Sequence, residues 1–202
     1  MATDPLLPLR DALARPWQAS SDYDLNPGTV LPENRVLRPA AVLVGIVPGG
    51  QEGPQLVLTK RASHLRNHPG QIAFPGGRKD EGDADLVATA LREAEEEIGL
   101  PPTAVEILGA LPAHETVTGY QMTPILGLIT RDFTPRPQPD EVAEIFSAPF
   151  AHVTNPARFR VEQRIWRGTW RKYYTVPWGP YYIWGATARI LRGLADRVGP
   201  CG

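Results

Sequence analysis

Cysteine is all but missing. Its one occurrence, Cys201, excludes an internal disulfide and a cysteine-based zinc site, so a reducing, cytoplasmic setting is the natural expectation. An excess of charge of one sign is missing too. With 21 basic and 22 acidic residues the formal net charge is -1, which leaves no overall field to draw the chain to nucleic acid or an anionic membrane. Long hydrophobic runs are also lacking. No stretch approaches the ~20 apolar residues of a membrane span. The first 20 residues carry Asp4, Arg10, Asp11 and Arg15 where a signal peptide would have an apolar core. Neither a membrane nor a nucleic acid is therefore expected as a partner, and any chemistry driven by charge has to be local.

What is present fits one domain with a sizeable core, since 202 residues are few for two. Residues 1–35 hold a possible short helix around Leu6 to Leu13, followed by "SSDYDLNPG" and "LPEN", which are turn and cap chemistry. They read as an N-terminal extension to a main domain over 36–202. From Pro39, "AAVLVGIV" suits a buried strand, and "QLVLT" suits its hairpin or sheet partner. "GQIAF" is a further short strand, ended by Pro75, Gly76 and Gly77. A helix follows, with Asp83 or Asp85 as its N-cap and Gly99 with two prolines as its stop. Strands are expected at "AVEILGAL", "MTPILGLIT" and "EVAEIFSA", and a closing helix at "GATARILRGLADRV". This order predicts a mixed α/β (α+β) layered domain.

The helix raises a question of charge. "LREAEEEIGL" places Glu93, Glu95, Glu96 and Glu97 within five positions, and like charges three or four residues apart cost roughly 0.2 to 0.5 kcal/mol per pair. At 100° per residue, Val87, Leu91, Ala94 and Ile98 share one side and Glu93, Glu96 and Glu97 the other, so the acids are expected to face outward. Arg92 is within reach of Glu96, four residues on. Such a face can be an ordinary solvated surface or a cation site. Scarcity of lysine favours the second, because Arg92 is the only base from Leu86 to Leu100. Carboxylate oxygens on one face suit hard divalent ions, magnesium or manganese, which also bind substrate phosphates.

The stretch "GRKDEGDADLVATALREAEEEIGL", Gly77 to Leu100, resembles the signature of the Nudix hydrolases through Arg92-Glu93-Ala94, Glu96-Glu97 and Gly99-Leu100. One departure is visible: Asp83 has the family's spacing from Gly77, but Arg92 lies one residue further from it than usual. Upstream, "LTKRASHLRNHPGQIAFPGG", Leu58 to Gly77, is similar to the coenzyme A pyrophosphatase branch of that family. Thr59, Arg61, Leu65, Arg66, His68, Gly70, Gln71 and the Phe74-Pro75-Gly76-Gly77 turn all fit, while Ala62 stands where the branch often has serine. Lys60, Arg61, His64, Arg66 and His68 put five potentially cationic groups into nine residues, which suits a polyanion, although either histidine could instead be a structural hydrogen-bonding group. The likeness runs more loosely through "TPILG" to "IWGATARIL" and covers roughly 36–192.

The resemblance implies a Nudix-type layered fold, a mixed central sheet packed between helices. It implies Mg2+ or Mn2+ held by Glu93, Glu96 and Glu97, with Glu97 the first choice of base and Glu141 or Glu144 the others. Arg92 would orient a carboxylate, and Arg61, Arg66, His68, Gln71, Gly76 and Gly77 would meet the substrate. The expected reaction is hydrolysis of coenzyme A or an acyl-coenzyme A to 3′,5′-ADP and 4′-phosphopantetheine or its acyl form. ADP-ribose or a dinucleotide is the alternative substrate. A non-catalytic nucleotide-sensing domain is the alternative of another class, and a homodimer is left open. Glu141 and Glu144 follow "TPRPQPDEV" and read more simply as strand-edge charge. Tyr173, Tyr174, Trp178, Tyr181, Tyr182 and Trp184 could stack on adenine or line a pantetheine channel, but core packing is the commoner use.

Overall fold

From Arg38 to Val47 the chain is apolar almost without interruption, which suits a strand only if both of its faces are covered. In the computed structural model, which describes residues 9–10, 13–14, 18–49, 53–166 and 168–198, a two-residue β1 (Ser20–Ser21) precedes this run. The run itself is β2 (Arg38–Val47), in the middle of the main sheet. Antiparallel β3 (Gln55–Arg61) follows, then β4 (Ile72–Ala73) and β5 (Gly76–Arg78), which pairs back on β2. Helix α1 (Leu86–Ile98) leads to β6 (Val105–Ala110), β7 (His114–Glu115), β8 (Tyr120–Ile129) and β9 (Val142–Pro149). These nine strands make one mixed sheet, with β8 parallel to β2 from Arg38↔Tyr120 to Ile46↔Leu128. A short α2 (Phe150–Val153), a separate hairpin of β10 (Arg160–Trp166) and β11 (Thr169–Thr175), and α3 (Gly185–Val198) complete the described elements.

Alternation along β2 sorts its side chains into two cores, one on each face of the sheet. Val42, Val44 and Ile46 join Leu56, Leu58, Leu126, Leu191 and Leu194 beneath α3. Ala41 and Leu43 join Val57, Ile125 and Ile129 beneath α1, which contributes Ala90, Ala94 and Ile98. The mixed sheet packed between helices is as expected, as are the strands at "AAVLVGIV", "QLVLT", "GQIAF", "AVEILGAL", "MTPILGLIT" and "EVAEIFSA" and the last helix. Of the short helix expected over Leu6 to Leu13, residues 6–8, 11 and 12 lie outside the described residues; Leu9, Arg10 and Leu13 are helical, with Leu9 in the core beneath α3. No described helix is long and apolar enough to cross a membrane.

Two local features position the site. Gly76 has a φ of +154°, and a Cβ there would lie 2.5 Å from the Val42 Cα, so only glycine lets β5 approach β2 this closely. At the other end of α1, Gly99 adopts the left-handed conformation (φ 70°), and the amides of Gly99 and Leu100 bond to the Glu95 and Ala94 carbonyls. The proline-rich loop then returns to the same helix end. Its Arg136 amide donates to the Ile98 carbonyl at 3.0 Å and its Gln138 amide to the Glu97 carbonyl at 2.9 Å.

Candidate active site

Helix α1 starts at Asp85, whose carboxylate accepts from the Ala88 amide at 2.8 Å. Of the two N-cap candidates the cap is therefore Asp85, and Asp83 is left for another partner. The outward face predicted for the acids needs a correction. Glu97 turns inward and is only 5% exposed, Glu93 is partly buried, and Glu96 lies outside. The cause is β5, which crosses this side of the helix: the Gly76 amide donates to Glu97 Oε2 at 3.2 Å. At Gly77, a Cβ would lie 2.5 Å from the Glu93 carboxyl carbon. Both glycines thus admit a glutamate carboxylate against bare backbone.

Arg92 organises the other acids. Its Nε and Nη2 bind the two Asp83 oxygens at 2.9 and 3.0 Å, and its Nη1 lies 3.0 Å from both Glu93 Oε1 and Glu96 Oε2. Asp83 is buried and also accepts from the Thr89 hydroxyl and the Asp80 amide, each at 2.9 Å. The Arg92 guanidinium therefore holds the Asp83 carboxyl well below the usual carboxylate range. The extra residue in the loop is accommodated by this turn. Asp83→Asn is expected to reduce unfolding free energy by about 2 kcal/mol, below the roughly 3 to 5 of a severed buried pair because Arg92 keeps three other acids, Asp80, Glu93 and Glu96. Urea unfolding measures this, and an unchanged midpoint would mean that the pair contributes nothing.

Burial pushes the Glu97 carboxyl up to about 8; the Gly76 amide opposes the rise, Glu93 and Glu141 add to it, and Arg61 opposes it. Burial raises Glu93 as well, against the pull of Arg92. A carboxyl whose folded pKa exceeds its unfolded one takes up a proton on folding between the two values. Its stabilisation is complete below the unfolded pKa and lost as pH rises through the folded one. In chelator, Glu97→Gln should therefore match the wild type near pH 4 and exceed it near pH 9 by on the order of 2 kcal/mol. Parallel melting curves across this range would refute the assignment.

The basic segment divides. Arg61 ends β3 close enough to Glu97 to lower its pKa. Its Nε is one of two buried side-chain polar atoms without a hydrogen-bond partner among the described residues, the other being Thr175 Oγ1. His64 bonds to the Asp140 carbonyl at 3.1 Å, the structural use of a histidine, and Lys60, Arg66 and His68 are exposed as His64 is. His68 sits in the turn at φ 55°, and Gln71 lies half-buried beside Gly185 at the start of α3. Glu141, at the edge of β9, raises both Glu93 and Glu97, so it faces the same space, and neither helical periodicity nor local composition signals this. Glu144 instead accepts from the Tyr181 hydroxyl, and the Tyr181 ring stacks on Phe146 at 3.6 Å. Tyr174, Trp178 and Tyr181 pack against the core. A cleft of about 560 Å³ beside α3, lined by Gln18, Asp24, Leu111, Arg189 and Asp196 among others, includes none of the α1 acids.

Among the described residues no three His, Cys, Asp or Glu side chains stand together as a ready metal cage, because Arg92 holds Glu93 and Glu96. The donor chemistry nonetheless fits a hard divalent ion. Glu93 and Glu97 are desolvated, repel each other and face a third carboxylate, Glu141, an arrangement that a bound cation relieves.

Residues 36–170 match the model of the NUDIX domain. Over 162 residues the chain is 46% identical to proteins of Shigella boydii serotype 4 and Escherichia coli O1:K1, both described as "Uncharacterized Nudix hydrolase NudL"; the match covers 80% of this chain and 83% of each relative. A crystal structure of a MutT/nudix family protein from Enterococcus faecalis matches with a TM-score of 0.50 at 15% identity, covering 85% of this chain and 66% of that one, a likeness of fold.

Proposed function

The chain belongs to the Nudix hydrolase family, and from that premise we propose that it hydrolyses the diphosphate bond of coenzyme A or its thioesters. The products are 3′,5′-ADP and 4′-phosphopantetheine or its acyl derivative. The observation that carries this reading is Arg61. Its positive charge is near enough to Glu97 to lower that carboxyl's pKa, and its Nε is buried without a partner among the described residues, at the root of a basic turn in which Lys60, Arg66 and His68 are exposed. A buried donor without a partner costs about 1 to 3 kcal/mol, and a phosphate oxygen supplies the missing acceptor. A substrate with phosphates on both sides of one ribose uses both the root and the rim of the turn.

Nudix hydrolases need divalent metal ions; here Mg2+ or Mn2+ would be held by Glu93, Glu96 and Glu97. When bound, such an ion neutralises charge on the diphosphate oxygens and lowers the pKa of water. Glu97 takes the proton from the attacking water, with Glu141 facing it. Arg92 holds Glu93 and Glu96 in place from behind and is itself fixed by Asp83. Gly76 and Gly77 keep the backbone bare where the phosphates approach, Arg61, Arg66 and His68 meet anionic oxygens, and Gln71 borders the turn.

In competition at equal concentration, kcat/KM for coenzyme A should exceed that for ADP-ribose or diadenosine polyphosphates by at least about tenfold, or 1.4 kcal/mol. Near-equal values would mean a generalist. A preference for ADP-ribose would overturn the substrate and leave the carboxylate assignment standing.

A further inference from the structure

The hairpin of β10 and β11 stands apart from the nine-stranded sheet. Two-stranded hairpins are marginal alone, and this one has an occupied edge and an open one. On the outer edge of β11, the Asn26 side chain bonds both the amide and the carbonyl of Lys172, each at 2.9 Å, and Thr175 bridges Trp184. Among the described residues nothing pairs with the outer edge of β10, and Arg160 to Ile165 are all exposed. We propose that this edge joins two copies of the chain, β10 pairing antiparallel with β10 about a two-fold axis at Gln163.

Backbone phase requires the axis to fall on a residue and not between two. Lys172 points both backbone groups away from β10, and Gln163 is its cross-strand partner. Gln163 therefore belongs to a non-hydrogen-bonded pair of the hairpin and points its own amide and carbonyl outward, as do Val161 and Ile165, two positions either side. A two-fold axis at Gln163 then pairs Gln163 with Gln163 and Val161 with Ile165 through these outward groups. Side chains agree with the backbone. Glu162 falls opposite Arg164 twice, and Arg160 opposite Trp166. An axis one residue away, at Glu162, would bring the same outward groups together but would oppose Glu162 with itself and Arg160 with Arg164, both repulsive, so the charges choose Gln163.

Apolar exposure points the same way. Val161 is 51% exposed, Ile165 62% and Trp170 60%. Within the hairpin, Ile165 faces Trp170 and Val161 faces Tyr174. In the four-stranded assembly each face-row continues across the axis as Trp170, Ile165, Val161 and Tyr174, so the exposed Val161, Ile165 and Trp170 join the core-packed Tyr174 in two continuous apolar rows. An isologous contact of this kind closes on itself and stops at two chains.

Sedimentation of the full chain over a concentration series tests this. A dimer is expected for the wild type. Gln163→Pro removes an outward amide that the hairpin does not use, a substitution an edge strand tolerates. It should raise the dissociation midpoint at least about tenfold, with circular dichroism and turnover per chain of the dissociated protein retained. Arg164→Glu should do the same by opposing two glutamates, and the double variant Glu162→Arg with Arg164→Glu should restore the dimer, because the reversed charges again face each other. A wild type that stays monomeric, or a dimer indifferent to both single substitutions, would overturn the proposal, as would failure of the double reversal to restore association.

Discussion

Glu97→Gln should lower kcat by at least about a hundredfold, or roughly 2.7 kcal/mol in the barrier, while the protein remains folded. Glutamine has nearly the same volume, and its side-chain oxygen can still accept from the Gly76 amide, so the helix stays against β5. What is lost is the charge. Under the proposed reaction this carboxylate both helps to bind the cation and receives a proton, and an amide does neither at neutral pH. Glu96→Gln is the internal comparison: Glu96 is 58% exposed and held by Arg92, so its substitution should cost less. Steady-state kinetics with saturating Mg2+ or Mn2+ decides. A loss at Glu97 smaller than that at Glu96 would remove Glu97 from its role.

Gly76→Ala should reduce stability by at least about 3 kcal/mol, which places it among the most damaging single substitutions. The added methyl would lie 2.5 Å from the Val42 Cα, a contact with backbone that no rotamer relieves, at a φ of +154° that favours glycine. Because β2 is covered on both faces, it cannot move aside without opening both cores. Thermal or urea unfolding in chelator measures the loss without a contribution from ligand binding. A shift below about 1 kcal/mol would show that the strands separate more easily than their packing implies.

Much of the sheet is legible in the sequence because β2, β3 and β8 are apolar on consecutive positions, a pattern that requires cover on both sides. The acidic helix is equally legible from its caps and its charge. The inward turn of Glu97 is not. Periodicity locates the side of a helix that carries most apolar residues, whereas the buried face here includes Ala90 and Ala94 and extends to Glu97, which the Gly76 amide of β5 holds inward. Asp83 illustrates the limit of spacing, since one additional loop residue leaves its role open until the bidentate contact with Arg92 is seen. Glu141 is far along the chain from Glu93 and is brought to it by the β3–β9 pairing and by the loop fastened to the end of α1. The β10–β11 hairpin escapes notice for a physical reason: "RVEQRIW" is exposed on both faces of its strand and so has no buried side to leave a periodic trace.

The return of the proline-rich loop to the end of α1 has a consequence for how the region tolerates insertion. Two amides, from Arg136 and Gln138, are fastened to the last carbonyls of the helix that bears Glu93 and Glu97, and Glu141 follows within three residues. The chain between Asp132 and Pro135 is upstream of both fastenings, so added residues there would bulge into solvent and leave the three carboxylates in register. One residue added between Gln138 and Glu141 would have no such outlet and would displace the third acid from the other two. Length variation among relatives should therefore collect before Arg136 and be scarce after Gln138, so that the fastening acts as a ruler dividing a variable half of the loop from an invariant one.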